Sequence, residues 1–249
     1  MREQRLENIC RYLEKNDYLS MDTLRQMCPD VSFMTLHRDL DVLEEKGVLI
    51  KVRGGARVRK NTSEQGFFVR SQLKIEEKDL IAQKALQFIH AGSSIFIDAG
   101  TSSTELAKVM PDIDVSIFTT GPGVAMELCK LNRPSVNVCG GNINRNNMAL
   151  SGRFTVDMIS SVNIDVAFLG ASGYSADAGF NCGKESEMLV KCKAIERART
   201  SIVLCDTSKE NRLLPFTFAS FEDIDYLITD ERPGEDIIQA AAKGGCKIV

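Results

Sequence analysis

The sequence has no Cys-x-x-Cys pair, and only two histidines, His37 and His90, in 249 residues. Zinc sites need closely spaced thiol or imidazole ligands, so no metal and no other cofactor is expected. The eight cysteines (Cys10, Cys28, Cys129, Cys139, Cys182, Cys192, Cys205 and Cys246) stand singly, most of them within apolar stretches. They read as reduced, buried thiols. Long apolar runs are lacking too, and none approaches the length that crosses a bilayer. The charged opening Met1-Arg2-Glu3-Gln4-Arg5 leads into an amphipathic pattern and not into an apolar leader. These absences argue against a membrane protein and predict a cytoplasmic one. There is no convincing internal repeat and no low-complexity segment.

What is present is ordinary in sum and uneven in place. A hydrophobic fraction of 43% with 26% charged residues fits a globular chain that buries a real core. The length calls for one large domain or two unequal ones. The net charge of −3 hides an asymmetry. Residues 1–60 hold 12 Lys and Arg against 10 Asp and Glu, a balance of +2, which leaves −5 for the rest. Lys51 to Lys60 contains five cations and no anion. A basic patch on an acidic chain points to a polyanion partner at one end.

Leu6, Ile9, Cys10 and Leu13 fall at helical spacing. Ser20 is placed to cap a second short helix carrying Leu24 and Met27 inward, stopped near Pro29. Ser32 is placed to cap a third, in which Leu36, Leu40 and Leu43 recur on one face and Gly47 ends the run. The stretch "VLIKVRGGARVRK" then alternates apolar and basic residues around Gly54-Gly55, the pattern of a hairpin. Three helices and a basic hairpin are the parts of a winged helix-turn-helix, predicted over 1–60. A polar linker follows over 61–75. Residues 76–249 form a second domain, opened by a helix over 75–91 ending before Gly92. There six strand-like runs alternate with helical ones: "SSIFIDAG", "VSIFTTG", "SVNVCGG", "DVAFLGAS", "SIVLCDTS" and "YLITD". Helices are expected at 102–110, 122–131 and 185–199. The fold class is therefore α/β, an N-terminal winged helix-turn-helix plus a mostly parallel C-terminal α/β domain.

In the head, the third helix would enter the major groove of double-stranded DNA by its N-terminal end. Ser32, Thr35, His37 and Arg38 lie there. Arg38 suits a bidentate contact to guanine, and Thr35 a phosphate or a thymine methyl. Lys51, Arg53, Arg57 and Arg59 suit phosphates along the wing. The plainer reading is a structural helical domain with solvated charges; the order of elements, the cap and the positive hairpin together favour DNA.

The segment "SFMTLHRDLDVLEEKGVLIKVRGGA" resembles the helix and wing of the DeoR family of bacterial repressors. That family typically reads Ser-x-x-Thr-(Ile/Leu)-Arg-Arg-Asp-Leu, then Leu-Glu-x-x-Gly and a basic wing with Gly-Gly-Ala. Ser32, Thr35, Arg38, Asp39, Leu40, Gly47, Gly54 and Gly55 match. His37 stands where arginine is commonest, a departure that bears on the operator sequence. The resemblance extends over nearly the whole chain. It implies a dimer or tetramer on paired operator half-sites.

In an open parallel sheet, ligands bind beyond the carboxyl ends of the strands, where the polar glycine-rich turns of this sequence fall. "DAGTSST" supplies Asp98, Gly100, Thr101, Ser102, Ser103 and Thr104. "TTGPG" supplies Thr120, "CGGNIN" supplies Gly140 and Gly141, and "GASGYSADAG" begins at Gly170. "DTSK" supplies Asp206 and Lys209. Converging amides at a helix start suit an anion. Lys191 or Lys209 is a candidate cation for a phosphate. Asp98, Glu187 and Asp206 are candidate acceptors for sugar hydroxyls. Each turn also has the plainer role of a cap or a tight bend.

The family's effector domain is similar to sugar-phosphate isomerases of the ribose-5-phosphate type. "DAGTSST" resembles their phosphate loop, with Ser102 replacing a glycine. Leu169 to Gly173 stand where the isomerase carries Asp-Gly-Ala-Asp-Glu, so its carboxylates are missing. Thr120 replaces an asparagine usual in the family. Isomerisation needs a carboxylate to move a proton beside the carbonyl. The resemblance thus implies a sensor of a phosphorylated sugar or related metabolite that does not consume it. A sugar-phosphate isomerase-like enzyme with an added nucleic-acid module is the alternative.

Overall fold

The computed structural model describes residues 2–16, 18–45, 48–58 and 66–249. The expected helix end at Gly47, the wing cations Arg59 and Lys60, and linker residues 61–65 lie outside these. The chain divides into two compact units, Met1–Ile75 and Glu76–Val249.

The head contains α1 (Arg2–Lys15), β1 (Tyr18–Ser20), α2 (Met21–Met27), α3 (Phe33–Glu45), β2 (Leu49–Val52), β3 (Gly55–Val58) and α4 (Phe67–Arg70). Leu6, Ile9, Leu13, Leu24, Leu36, Leu40 and Leu43 form its core. The Ser20 hydroxyl accepts from the Thr23 amide at 3.0 Å and starts α2. The Ser32 hydroxyl accepts from the Thr35 amide at 3.3 Å and starts α3. The hairpin of β2 and β3 gains a third strand, because β1 pairs antiparallel with β3. Three residues are too few for alternation to announce β1 in the sequence. A Cβ on Gly55 would fall 2.2 Å from the Leu19 carbonyl oxygen, so only glycine lets β1 lie this close.

The stretch read as a linker is not all linker. Val69 of α4 is buried and Leu73 partly buried against the head core. Their apolar side chains draw the segment onto the head.

The second unit comprises α5 (Ile75–Ala85), β4 (Ser94–Ile97), α6 (Thr101–Val109), β5 (Ser116–Thr119), α7 (Pro122–Leu128), β6 (Ser135–Val138), β7 (Asn142–Asn144), β8 (Ala149–Ser151), α8 (Arg153–Ser160), β9 (Ile164–Gly170), β10 (Gly173–Ser175), β11 (Gly179–Cys182), α9 (Glu185–Arg197), β12 (Ala198–Leu204), β13 (Phe216–Ala219), β14 (Tyr226–Ile228), α10 (Glu235–Gly244) and β15 (Lys247–Ile248). Seven strands make one sheet in the order β15-β14-β12-β9-β4-β5-β6. Every pairing in it is parallel. Alternate residues feed two cores, as a strand buried on both faces requires. Phe96, Leu169 and Val203 point to one, with Ile159, Val190 and Ile237 of α8, α9 and α10. Ile95, Ile97 and Phe168 point to the other, with Ile81, Leu106 and Val124 of α5, α6 and α7.

All six expected strands are present, and β15 adds a seventh. The long helix expected over 75–91 is shorter. It ends at Ala85, passes through a tight turn at Leu86–Phe88, and Ile89 becomes extended to bury its side chain. His90 therefore does not end a helix. Two cysteines, Cys129 and Cys192, are exposed; the other six are buried as expected. No helix among the described residues is long and apolar enough to cross a membrane.

Candidate effector site and DNA-reading face

The chain runs outward from β4 in both directions: β5 and β6 follow on one side, β9 and β12 on the other. The crevice at the carboxyl ends of β4 and β9 is therefore the point where strand order reverses, the usual ligand position in such a sheet. Asp98 leaves the end of β4 there. Its carboxylate is buried and fully engaged. Oδ1 accepts from the Thr120 hydroxyl at 3.3 Å, and Oδ2 accepts from the Gly170 amide at 3.1 Å and from Lys191 Nζ. Lys191 also donates to the Gly170 carbonyl at 2.8 Å. Burial is the largest single influence on Lys191 and works to lower its pKa, but the charge and hydrogen bond of Asp98, with Cys182 and Glu187 nearby, together outweigh it and hold the ammonium above its ordinary value.

Four residues named from sequence thus meet: Asp98, Thr120, Gly170 and Lys191. Their roles differ from those first read. Lys191 answers Asp98, and the carboxylate is spent on joining the ends of β4, β5 and β9.

The loop after β4 is open in the way an anion cradle requires. Gly100 has φ +130°, in the region that favours glycine, and starts α6 with no side-chain cap. Helix geometry leaves the first amides of α6 without carbonyl partners inside the helix. Thr101, Ser102 and Ser103 are buried. The Ser103 hydroxyl is completely buried and has no hydrogen-bond partner. Thr104 departs from the expectation, because its hydroxyl donates to the Gly100 carbonyl at 2.8 Å.

The other named residues lie around the same sheet edge. Glu187, at the first turn of α9, accepts from Asn144 Nδ2 of β7 at 3.2 Å. Asp206 follows β12 and is buried; Oδ2 stands 3.3 Å from Lys209 Nζ as an ion pair without a hydrogen bond. Burial works to raise the Asp206 carboxyl, while Lys209 and the Ser208 hydroxyl outweigh it and hold the group below its ordinary value. Gly140 has open space at its Cβ position and its carbonyl accepts from the Thr155 hydroxyl, whereas Gly141 has a packing duty. A Cβ on Gly141 would fall 2.2 Å from Thr155 Oγ1, so this glycine lets the loop pack on α8. Sequence reading missed Asn144 and Ser208. It also missed Tyr174, whose buried hydroxyl has no partner. A lone polar residue in a short strand gives no signal until the sheet edge is assembled.

In the head, Ser32 and Arg38 are exposed, and Thr35 and His37 half-buried. The Thr35 and Ser32 hydroxyls bond each other at 2.9 Å, which ties Thr35 to the cap. Arg53 and Arg57 are exposed. Lys51 is not a free wing cation, because Nζ donates to Asp41 of α3 across the gap to β2. A structural pair also went unread. Asp39 is fully buried and accepts from Arg5 Nε at 2.6 Å and Arg2 Nε at 3.2 Å, fixing α3 to α1.

Comparison with known proteins gives two family matches. The DeoR-like helix-turn-helix domain matches residues 5–62, and the DeoR C terminal sensor domain residues 73–231. The chain is 29% identical to the HTH-type transcriptional repressor GlcR of Bacillus subtilis (strain 168), over 99% of this chain and 95% of that one. It is also 29% identical to the glycerol-3-phosphate regulon repressor of Haemophilus influenzae, over 98% and 95%. Among solved structures, ribose 5-phosphate isomerase A of Methanocaldococcus jannaschii aligns over 55% of each chain at 16% identity with a TM-score of 0.40. That likeness is too distant to bear on the site.

Proposed function

Given that the chain belongs to the DeoR family of DNA-binding transcriptional regulators, we propose that it represses a carbohydrate-metabolism operon in the cytoplasm, as a homodimer or homotetramer, and that a phosphorylated sugar or related metabolite controls it. The phosphate sits on the loop from Gly100 to Ser103. The observation that carries this is the orphaned, wholly buried Ser103 hydroxyl beside the open amides of α6, at the reversal point of the sheet. Lys191 is neutralised by Asp98, so amides and hydroxyls, not a free lysine, hold the anion. The sugar extends toward Glu187, Asp206 and Lys209. The end of β9, "FLGASG", carries no carboxylate to serve as a base, in keeping with binding without turnover.

The ligand changes operator affinity only through unequal affinity for the two arrangements of the DNA-reading heads. In Ser32, Thr35, His37, Arg38, Arg53 and Arg57, the side chains face the operator.

The test is fluorescence anisotropy of the full-length chain on DNA from its own upstream region, with a panel of sugar phosphates and glycerol 3-phosphate. At least one compound is expected to change the affinity at least fivefold. The Thr101→Ala/Ser103→Ala double variant should lose that response and keep ligand-free DNA binding. An intact response in the double variant overturns the assignment of the loop.

A further inference from the structure

Two large apolar side chains stand in water at the start of α3. Phe33 is 55% exposed and Met34 68%. They are the first two residues of a helix whose start is fixed by the Ser32 cap. At about 100° per residue, the buried Leu36, Asp39, Leu40 and Leu43 define the inward face. Met34 lies opposite that face, at the centre of the outward ridge, one turn before Arg38. Phe33 flanks it and rests edge-on against His37, ring centroids 4.8 Å apart. The far end of the same ridge carries Asp41 and Glu45, and Asp41 is engaged by Lys51. The acidic end is unsuited to a polyanion. The helix therefore offers its N-terminal half, where Phe33 and Met34 stand exposed beside Arg38.

An exposed apolar pair costs solubility and adds nothing to the head core. The major groove has one apolar feature to match it, the thymine 5-methyl group. We infer that Met34 and Phe33 read thymine methyls in the operator, with Arg38 beside them supplying the polar contact. Specificity of this head then rests partly on shape and burial, and His37, facing the same groove, also steadies the Phe33 ring. The inference rests on the placement of α3 in the major groove proposed above.

The experiment uses the full-length chain. A preferred duplex is first selected from a random-sequence DNA pool. Each thymine of that duplex is then replaced by uracil, which removes the methyl and leaves every hydrogen-bonding group. At one or more positions per half-site, affinity should fall about fourfold, the worth of one buried methyl. Met34→Ala or Phe33→Ala should weaken binding to the thymine duplex and abolish the difference between thymine and uracil at its own position. Met34→Leu should retain it. Both alanine variants should keep the wild-type thermal midpoint, because the residues they replace are exposed. Two results overturn the inference: a preferred duplex indifferent to uracil at every position, or uracil sensitivity that survives both alanine variants. Failure of the pool to yield any preferred sequence would overturn the groove placement of α3 along with it.

Discussion

Asp39 in the head and Asp98 in the sensor unit are both buried carboxylates answered by cations, but the answers differ. Asp39 has two arginines, whose side chains remain 17% and 57% exposed. Asp98 has one lysine, and both members of that pair are more than nine-tenths buried. Asp39 joins one helix to another. Asp98 joins three strand ends through Thr120, Gly170 and Lys191. The head pair is thus redundant and half-solvated, and the sensor pair is single, dry and shared among elements. Redundancy suits a scaffold; a shared pair makes the sheet edge proposed for the effector act as one piece.

The sharpest way to break this comparison is Lys191→Ala. It leaves a buried carboxylate unanswered, which costs about 3–5 kcal/mol. The sensor-unit transition in urea unfolding should shift accordingly. Asp98→Asn combined with Lys191→Met should recover part of the loss, since the amide removes the unanswered charge and its oxygen still accepts from Thr120 or Gly170. A loss below about 1 kcal/mol would show that the pair is not sealed as described.

Arg5→Ala should cost the head less, on the order of 2 kcal/mol, because Arg2 still answers Asp39. Equal losses in Arg5→Ala and Lys191→Ala, read from the two transitions of one urea titration, would erase the distinction.

A third contrast lies in the helix starts. Ser20 and Ser32 cap their helices with side chains, whereas Gly100 leaves the amides of α6 open. Ser20→Ala should cost the head about 1 kcal/mol, measurable as a lowered thermal midpoint. Gly100→Ala meets no neighbour and should act only through strain at φ +130°. Its thermal effect should be comparable while the response to phosphorylated ligands falls.

The smallest expected effect is electrostatic. The Asp206 carboxyl is held below its ordinary value, so folding stability gains from its ionised form above the usual carboxylate range. That gain disappears as the pH falls through the depressed folded value. Asp206→Asn should therefore flatten part of the acid limb of the sensor unit's midpoint-against-pH curve and change little near neutrality. An unchanged acid limb would remove Asp206 from the list of groups stabilised by their partners.

Much of the fold was legible because its signals are local. The Leu36, Leu40 and Leu43 stripe and the Ser20 and Ser32 caps located the helices of the head. The apolar runs ending in polar turns located six of the seven strands of the parallel sheet. Elements with weak local signals escaped: β1 with three residues, β15 with two, and the antiparallel β10, β11 and β13, which pair with one another apart from the main sheet. The site was legible as a set of turns at one sheet edge, but not as roles. Lys191 read as a cation for a phosphate and Lys51 as one for DNA; each proves to be held by a carboxylate distant in sequence, Asp98 and Asp41 respectively. Pairing at that range leaves no periodicity to read.

The sequence by itself determined the two-unit plan, the capped reading helix with its basic wing, and the glycine-opened loop "DAGTSST". Each follows from residue type and spacing within a few turns of chain. Only the tertiary structure decided which charges are free. Parallel strands β4 and β9, with helix α9 packed on them, bring Asp98, Gly170 and Lys191 together, and a buried charge must take whatever opposite partner the packing brings near it.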